Sequence, residues 1–427
     1  MNMTDNKTDN RAAGRRRRYR ELLELYHGRQ TARPGGAGEP GLNCNYAAAA
    51  VDKLTAYLMN GLRVRAAGAD ADRVRRAQEL LDGCVLDNRL ERLDYETEID
   101  AAVLGDGCYR LGWDAVTGEV RLTAPDVAGI DVDYSLDGAV VERVTLEYAA
   151  SSAAAAKAWG CRGGDGPVKV VEHWTAADFQ INCDSTAVSG GVNPYGFIPF
   201  IVFANLSCPK SPWGVSDLDN LVTAQTELNR ALGQISRILE LSGNPIAVLE
   251  NVEASKDIAV SPGAVWHLPE EARAYLLDLL QGGGGQLHLS YIDLLLRIIH
   301  DLAEVPRAAF GGIGRDISGV ALELEMQPLL HRIWRKRLIR TGVYRRRAEL
   351  MLRLYARYLG ESFDGVSIEI DWAPVLPRDV AAEAATQKTL VGAGIHSRRG
   401  AMAGMGVEEP EREFDRWLEE EQRIKTE

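Results

Sequence analysis

Two long amphipathic helical segments, separated by a short insert, constrain the fold of this chain more than any other feature. Residues 216–242 repeat apolar side chains at the 3.6-residue period of one helix face, with Ser216 as the N-cap and Gly243 as the stop. Residues 287–302 form a second helix, which ends before Val305-Pro306. Helix, insert and helix therefore follow in this order, and each helix carries one apolar stripe.

The insert between the two helices has the composition of short strands. These strands are predicted at 246–249, 263–268 and 274–279, although periodicity alone also allows a helical turn in the last of them. The apolar stripes identify the side chains that we expect to pack the helix pair. They are Leu221, Leu228, Leu232, Ile235, Leu295 and Ile299.

The first half of the chain mixes helical and strand patterns. Helices are predicted within 19–62, where a proline and two glycines break the pattern, and at 71–90. Period-two alternation bounded by glycine turns predicts a small antiparallel sheet between 104 and 150, and further strands at 168–175 and 197–203. These elements predict an α+β fold.

A glycine-rich loop and a very long basic helix follow the helix pair. Residues 320–359 are predicted to form this helix, with a kink at Pro328 and with Trp334 and Leu338 in its apolar stripe. Between 332 and 357 there are nine arginines and one lysine against a single acid, a net charge of +9 in a chain of net charge −12. Charge is therefore strongly segregated along the chain.

The basic helix allows three interpretations. Its cations could follow the phosphates of a nucleic acid, form a solvated face, or contact the acidic segments of a neighbouring copy. The arginines recur on several sides of the helix axis, which does not suit a single groove contact, so we favour the interface. The residues concerned are Arg332, Arg335, Arg337, Arg340, Arg345 and Arg346.

The sequence contains no recognisable catalytic, cofactor or metal site. Gly314 and Gly319 have the spacing of a phosphate-binding loop, but Val320 and Ala321 occupy the positions where that loop needs a lysine and a hydroxyl group. The seven histidines and six cysteines lack the spacing of metal ligands. We therefore expect a chain that is not an enzyme and that binds no cofactor or metal.

The cysteines and the basic N-terminus suggest a cytosolic protein. The six cysteines are expected to be reduced thiols, and residues 1–18, which include the run Arg15 to Arg18, are expected to form a disordered basic leader. A nucleic-acid-binding tail is the alternative for the leader. No apolar run approaches the roughly 18 residues that span a bilayer, so no membrane contact is expected.

Several local strings, in a shared order over much of the chain, resemble the portal proteins of tailed bacteriophages, of the type found in siphophages of Gram-positive bacteria. The strings are residues 45–62 (NYAAAAVDKLTAYLMNGL), 105–109 (GDGCY), 196–200 (GFIPF), 212–218 (PWGVSDL), Gln225 with Leu228-Asn229, Pro306-Arg307, and 318–322 (SGVAL). No single string is diagnostic, and the order carries the resemblance.

The resemblance implies a portal-type subunit with an α/β wing, a two-helix stem, a small β-containing clip, a long wing helix and a helical crown. The implied ranges are 1–18 for the disordered basic leader, 19–215 for the wing, 216–243 for the first stem helix, 244–285 for the clip, 286–305 for the second stem helix, 306–319 for the tunnel loop, 320–360 for the long wing helix and 361–427 for the crown region.

The resemblance also implies a structural function. Such subunits form a ring, usually of twelve copies, at one capsid vertex of a phage or prophage particle, and the genome enters and leaves through the ring. The implied partners are other copies of the chain, the large terminase motor, head-completion or adaptor proteins, the capsid and a scaffolding protein, and double-stranded DNA that passes without sequence preference. Assembly would take place in the host cytoplasm, and the product would lie in the virion.

Charge is compatible with a DNA conduit. Residues 216–310 contain thirteen acids and six bases, and an acidic wall would hold duplex phosphates loosely. The tunnel-loop residues implied by the resemblance are Gly311, Gly312, Gly314, Arg315 and Gly319. The alternative function is a nucleic-acid-binding adaptor that uses the arginine-rich helix.

Overall fold

A computed structural model describes residues 3–29, 42–138, 140–161, 166–243, 247–250, 271, 273–276, 284–311, 319–376, 380–407 and 409–426. The chain divides into two compact units, Met1–Asp371 and Trp372–Glu427. The helices are α1 (Met3–Tyr26), α2 (Tyr46–Leu58), α3 (Ala71–Asp87), α4 (Leu90–Leu104), α5 (Ser152–Trp159), α6 (Val222–Gly243), α7 (Gly284–Ala303), α8 (Gly319–Leu359), α9 (Val380–Gly392), α10 (Arg398–Gly404) and α11 (Pro410–Thr426).

The strands form four sheets. They are β1 (Leu62–Ala67), β2 (Asp106–Asp114), β3 (Glu119–Thr123), β4 (Ile130–Tyr134), β5 (Val141–Ala150), β6 (Val168–Trp174), β7 (Asp178–Cys183), β8 (Thr186–Val192), β9 (Phe200–Ala204), β10 (Ala247–Glu250), β11 (Arg273–Leu276) and β12 (Ser367–Trp372). The antiparallel sheets run β3-β2-β9 and β4-β5-β6-β7-β8, while β1 pairs with β12 and β10 with β11. The α+β class is confirmed.

The segment predicted as one helix at 71–90 contains all of α3 and the first residue of α4. α3 ends at Asp87, and Arg89 adopts a left-handed backbone conformation before α4 begins. The side chain of Asn88 donates to the carbonyl of Val120 and accepts from the amide of Leu122, each at 2.8 Å. This contact with β3 fixes the break, and no local pattern in the sequence reveals it.

The first helix of the pair begins later than predicted. Ser216 does not cap α6, because its hydroxyl donates to the carbonyl of Val103 at 2.6 Å and so ties the chain to the end of α4. Residues 217–221 form turns, and α6 starts at Val222. In the insert, β10 and β11 confirm two of the predicted strands, and the third, at 263–268, lies outside the described residues.

The basic N-terminus is helical rather than a disordered leader. α1 includes the arginine run, and the Nε of Arg16 donates to the carbonyl of Ala128 at 3.0 Å. The guanidinium of Arg15 lies 3.4 Å from the ring centroid of Trp213, and Arg18 forms an ion pair with Asp219. These arginines therefore bind this chain, and the prediction of a disordered leader is wrong because it used local composition alone.

Two of the six cysteines are paired, contrary to the expectation of reduced thiols. Cys161, after α5, and Cys183, at the end of β7, form a disulfide inside a cluster that includes Val170 and Ile181. The residues lie 22 positions apart in sequence, with Cα atoms 6.4 Å apart. Their proximity depends on the pairing of β6 with β7, which cysteine spacing does not reveal. The remaining four cysteines are free thiols.

The C-terminal boundary also differs from the expected one. The crown region was expected from residue 361, but β12 pairs with β1 and so joins the first unit, which runs to Asp371.

None of the helices in the described ranges is long and apolar enough to cross a membrane.

The disulfide predicts a redox-dependent stability. Cys161→Ser should lower the free energy of unfolding of the oxidised chain by about 2–4 kcal/mol, because an open chain gains conformational entropy when it unfolds. Under dithiothreitol the variant and the parent should unfold at closely similar denaturant concentrations. Cys208→Ser, which removes a free thiol, is the matched control. Denaturant titration in both redox states measures the effect, and an equal cost in both would contradict the prediction.

Candidate self-assembly surface and its buried anchor

α6 and α7 pack side by side. Leu228 on α6 and Leu295 and Ile299 on α7 are buried, and both helices also contact α2. The Tyr291 hydroxyl donates to Oε1 of Glu227 at 3.0 Å and links the two helices at their surface. Of the six side chains predicted to pack the helix pair, four are buried and two are half-buried. The buried ones are Leu221, Leu228, Leu295 and Ile299, and the half-buried ones are Leu232 and Ile235.

A second apolar face of α7 is exposed. Its side chains follow one another at intervals of three or four residues, so they lie on one side of the helix. We name this set the α7 stripe: Leu287, Tyr291, Leu294, Ile298 and Leu302, which are between 36% and 73% exposed. The stripe is about 22 Å long at 1.5 Å per residue. An aligned apolar surface of this kind marks a contact site for another protein surface.

The start of the helix pair is held by a buried carboxylate. Asp217 precedes α6, and its side chain is 4% exposed. Oδ1 accepts from Arg332 at 2.9 Å and from the amide of Asn205 at 3.0 Å, while Oδ2 accepts from the ammonium of Lys336. Lys336 also donates to Asn205 Oδ1 at 2.8 Å. Three segments distant in sequence therefore meet at one carboxylate.

The electrostatics keep this carboxylate ionised. Burial alone would raise the pKa of Asp217, but the positive charges of Lys336 and Arg332, with their hydrogen bonds, outweigh burial and lower the pKa to about 2. Burial lowers the pKa of Lys336 below its ordinary value. Asp217 is therefore ionised at neutral pH, and it depends on the neighbouring cations for compensation.

Two further buried ion pairs continue along α8. The Nε of Arg340 lies 2.7 Å from Glu98 Oε1, and both side chains are fully buried. Arg347 pairs with Asp94, one turn earlier on α4, and its guanidinium lies 4.7 Å from the ring centroid of Tyr109. α8 is thus bound through its charged side chains to α4 and to the segment that begins the helix pair.

These contacts correct the interpretation of the basic helix. Arg332 and Arg340 are buried inside the chain and cannot contact a neighbouring copy or a phosphate. Arg335 pairs with Glu304 on this chain, and Arg337 donates to the carbonyl of Leu58 at 3.2 Å. The arginines are buried because one face of α8 packs against three acids, Asp94, Glu98 and Asp217. The cations on that face are Arg332, Lys336, Arg340 and Arg347.

Other residues of α8 remain at the surface. Arg345 and Arg346 are exposed, so the interface predicted for them stays a prediction. Trp334 and Leu338 are 62% and 58% exposed, and their assignment to the packed apolar stripe is wrong because the cations occupy the buried face.

Sequence reasoning missed the anchor. Asp217, the central acid of the buried cluster, was not among the predicted site residues. The four-residue spacing of Arg332, Lys336 and Arg340 was the available signal, because it places three cations on one face of a helix.

The described part of the predicted tunnel loop is small. Gly311 ends the 3-10 turn Arg307–Phe310 with a positive φ of 84°, which favours glycine, and Gly319 is the first residue of α8. Gly312, Gly314 and Arg315 lie outside the described residues. In the described ranges, no group of three or more His, Cys, Asp or Glu side chains is arranged to hold a metal ion.

Comparisons with known proteins identify one matching family and two structures of the same fold. The model of the family "Phage portal protein, SPP1 Gp6-like" matches residues 5–427. A chain from the neck of an empty GTA particle, computed with C6 symmetry, is 14% identical with a TM-score of 0.52, over 90% of this chain and 93% of that chain. A chain from the virion of a native gene transfer agent particle is also 14% identical, with a TM-score of 0.51, over 91% and 93%. These structures share the fold. Among curated proteins, none matches the chain.

The anchor predicts a large loss of stability when one partner is removed. Lys336→Met should lower the free energy of unfolding by about 3–5 kcal/mol, because Asp217 loses a buried counter-charge. Adding Asp217→Asn should recover a large part of the loss, since it removes the uncompensated charge. Arg346→Ala, at the surface, should change stability by no more than about 0.5 kcal/mol. Denaturant titration compares the four chains, and a double variant less stable than Lys336→Met would contradict the coupling.

Proposed function

Because the chain belongs to the SPP1 Gp6-like phage portal protein family, whose members are structural head–tail connector subunits at the capsid vertex of the virion, we propose that its copies close into a ring through their α6–α7 helix pairs. A closed ring needs a heterologous contact, in which two different faces of each copy meet. The α7 stripe supplies one of these faces, and the adjacent copy's helix pair supplies the other.

The exposed α7 stripe is the observation that carries this proposal. Its five apolar side chains remain open although α7 already buries Leu295 and Ile299 within the chain. Burying a fully exposed side chain of this type contributes about 1.5–3 kcal/mol, and these five, which are 36–73% exposed, would each contribute a part of that to assembly. An apolar contact has little directional preference, and it needs a rigid support to give one ring size.

The buried ion pairs provide that support. Asp217 lies in the turns that lead into α6 and is bound to α8 through Lys336 and Arg332. Arg332 also pairs with Glu304, which directly follows α7, at 3.1 Å. One arginine therefore holds the beginning of the first helix and the end of the second. The angle of the helix pair relative to the wing is then the same in every copy.

The charge of the helix pair and its insert suits a passage for DNA. Residues 216–310 have thirteen acids against six bases. On α7, Asp293 and Asp301 are exposed, and a ring repeats such acids around its axis. Repeated negative charge repels duplex phosphates and keeps them from adhering to the wall. The genome would thus pass without sequence preference, and Arg315 of the tunnel loop would be an isolated basic contact.

The remaining parts of the chain fit assembly partners rather than catalysis. In this proposal the insert at 244–285 meets the large terminase motor and the head-completion or adaptor proteins, and the outer surface meets the capsid and a scaffolding protein. The motor supplies its own nucleotide site, so the chain itself is not an enzyme. The adaptor alternative has less support, because Arg332 and Arg340 are committed to internal ion pairs.

The α7 stripe gives an assembly test. Ile298→Asp should abolish rings and leave a folded monomer, because residue 298 is exposed in the single chain but would bury an unpaired charge between copies. Val116→Asp is the matched control, since Val116 is 95% exposed in the turn between β2 and β3. Electron microscopy and analytical ultracentrifugation measure ring yield, and wild-type yield from Ile298→Asp would refute the stripe as the contact.

DNA affinity separates the conduit from the adaptor. The wild-type ring should bind duplex DNA no more tightly than the micromolar range at physiological salt, which is the range of non-specific contacts. Fluorescence anisotropy over a salt series measures the affinity and its salt slope. Nanomolar binding with a steep slope would instead favour the nucleic-acid-binding adaptor.

A further inference from the structure

One side of α8 exposes two large apolar residues and an arginine. Trp334, Leu338, Thr341 and Arg345 follow one another at intervals of four, three and four residues, so they lie along one side of the helix. Trp334, Leu338 and Arg345 are exposed. Tryptophan is highly buried in most proteins, and it is enriched among the residues that contribute most to binding in interfaces. We name Trp334 and Leu338 the α8 knob.

A cavity of about 570 Å³ opens between β1, α3 and α4. This volume lies in the range of roughly 300–1,000 Å³ that is typical of pockets for small molecules, so an indole and a neighbouring leucine side chain can enter it. We name it the α3–α4 cavity. Its apolar lining consists of Met59, Leu62, Val64, Leu81, Val85 and Leu90.

The α8 knob and the α3–α4 cavity lie on opposite sides of α8. Arg347, which pairs with Asp94, lines the cavity. Leu338 precedes Arg347 by nine residues, which is about two and a half turns of a helix, so the two side chains point in opposite directions. The knob of one copy therefore cannot enter the cavity of the same copy. A projection on one side and a cavity on the other are two different faces, as a heterologous contact requires.

We propose that the α8 knob of one copy inserts into the α3–α4 cavity of the next copy, as a second contact between neighbours in the ring. This inference rests on the proposed ring. In that ring every copy holds α8 in the same orientation, because Asp217 binds the start of the helix pair to Lys336 and Arg332. The same projection then lies beside the same cavity at every position.

Charge is complementary across this contact. The charged residues that line the cavity are three acids and two bases, Asp82, Glu91, Asp94, Arg63 and Arg347. Asp82 and Glu91 are exposed, and within the described ranges neither forms an ion pair. Arg345, on the same side of α8 as the knob, also forms none there. An arginine beside the knob thus matches carboxylates at the cavity, and these acids disfavour a nucleic acid as the occupant.

Chemical crosslinking of the full-length chain tests the contact. Arg345→Cys and Glu91→Cys, combined in one chain, should give a ladder of covalent multimers when assembled rings are treated with a short bismaleimide. Each single variant should stay at the background of the parent, whose free thiols also react, because the two faces of a heterologous contact differ. Denaturing gel electrophoresis measures the ladder.

The outcomes of crosslinking separate this inference from the proposed function. Rings of the double variant without a ladder would overturn the inference and leave the proposed function intact. An equal ladder from one single variant would also overturn it, because it would show that identical faces meet. Absence of rings from the parent chain would refute the proposed function, and this inference with it.

A pair of substitutions tests the knob and the cavity together. Trp334→Ala removes most of the knob, and Val85→Trp fills the cavity from its own wall. Each should raise the concentration at which rings dissociate by about tenfold or more. The double variant should dissociate no more readily than the weaker single variant, because both changes remove one contact. Analytical ultracentrifugation measures the dissociation.

The matched control for these substitutions is Val116→Ala, which shortens an exposed side chain in the turn between β2 and β3 and should leave dissociation unchanged. Trp334→Ala should also leave the unfolding of the monomer near that of the parent, because Trp334 is exposed in the single chain. Parental dissociation from Trp334→Ala, or additive losses in the double variant, would refute the insertion of the knob.

Discussion

The buried carboxylate of Asp217 is the interaction on which the rest of the first unit depends. It joins the segment before α6 to α8 through Lys336 and Arg332, and to Asn205, which follows β9. A buried ion pair is a weak source of net stability, because desolvation offsets the attraction, but it penalises any other arrangement of the same segments. Its effect here is to allow one position for the helix pair.

The same ion pairs show that many of the positive charges counted in the sequence of α8 do not lie on its surface. A count of residues 332–357 gives +9, which suggests a strongly positive surface. Four cations of this helix instead face Asp94, Glu98 and Asp217 in the interior. Opposite charges in a dry interior cancel at short range, so their field does not extend to a passing polyanion. Net charge per segment is therefore a poor guide to the potential that DNA meets.

Periodicity predicted the elements whose structure is local. The α7 and α8 helices and the antiparallel strands after residue 104 follow from spacing and turn residues alone. The start of α6 and the helical structure of the arginine run do not follow from local spacing. Ser216 and Arg16 are held there by hydrogen bonds to carbonyl groups far away in sequence. Cys161 and Cys183 meet for the same reason. Of the candidate site, periodicity identified Leu228, Leu295 and Ile299, which are buried, but not the exposed α7 stripe beside them.

The subunit thus buries charged side chains and exposes apolar ones on α7. This arrangement requires folding to precede assembly. The ion pairs require a dry interior, so each copy must fold before the α7 stripe has a defined direction. In the proposed ring, the stripe then joins copies that have already folded.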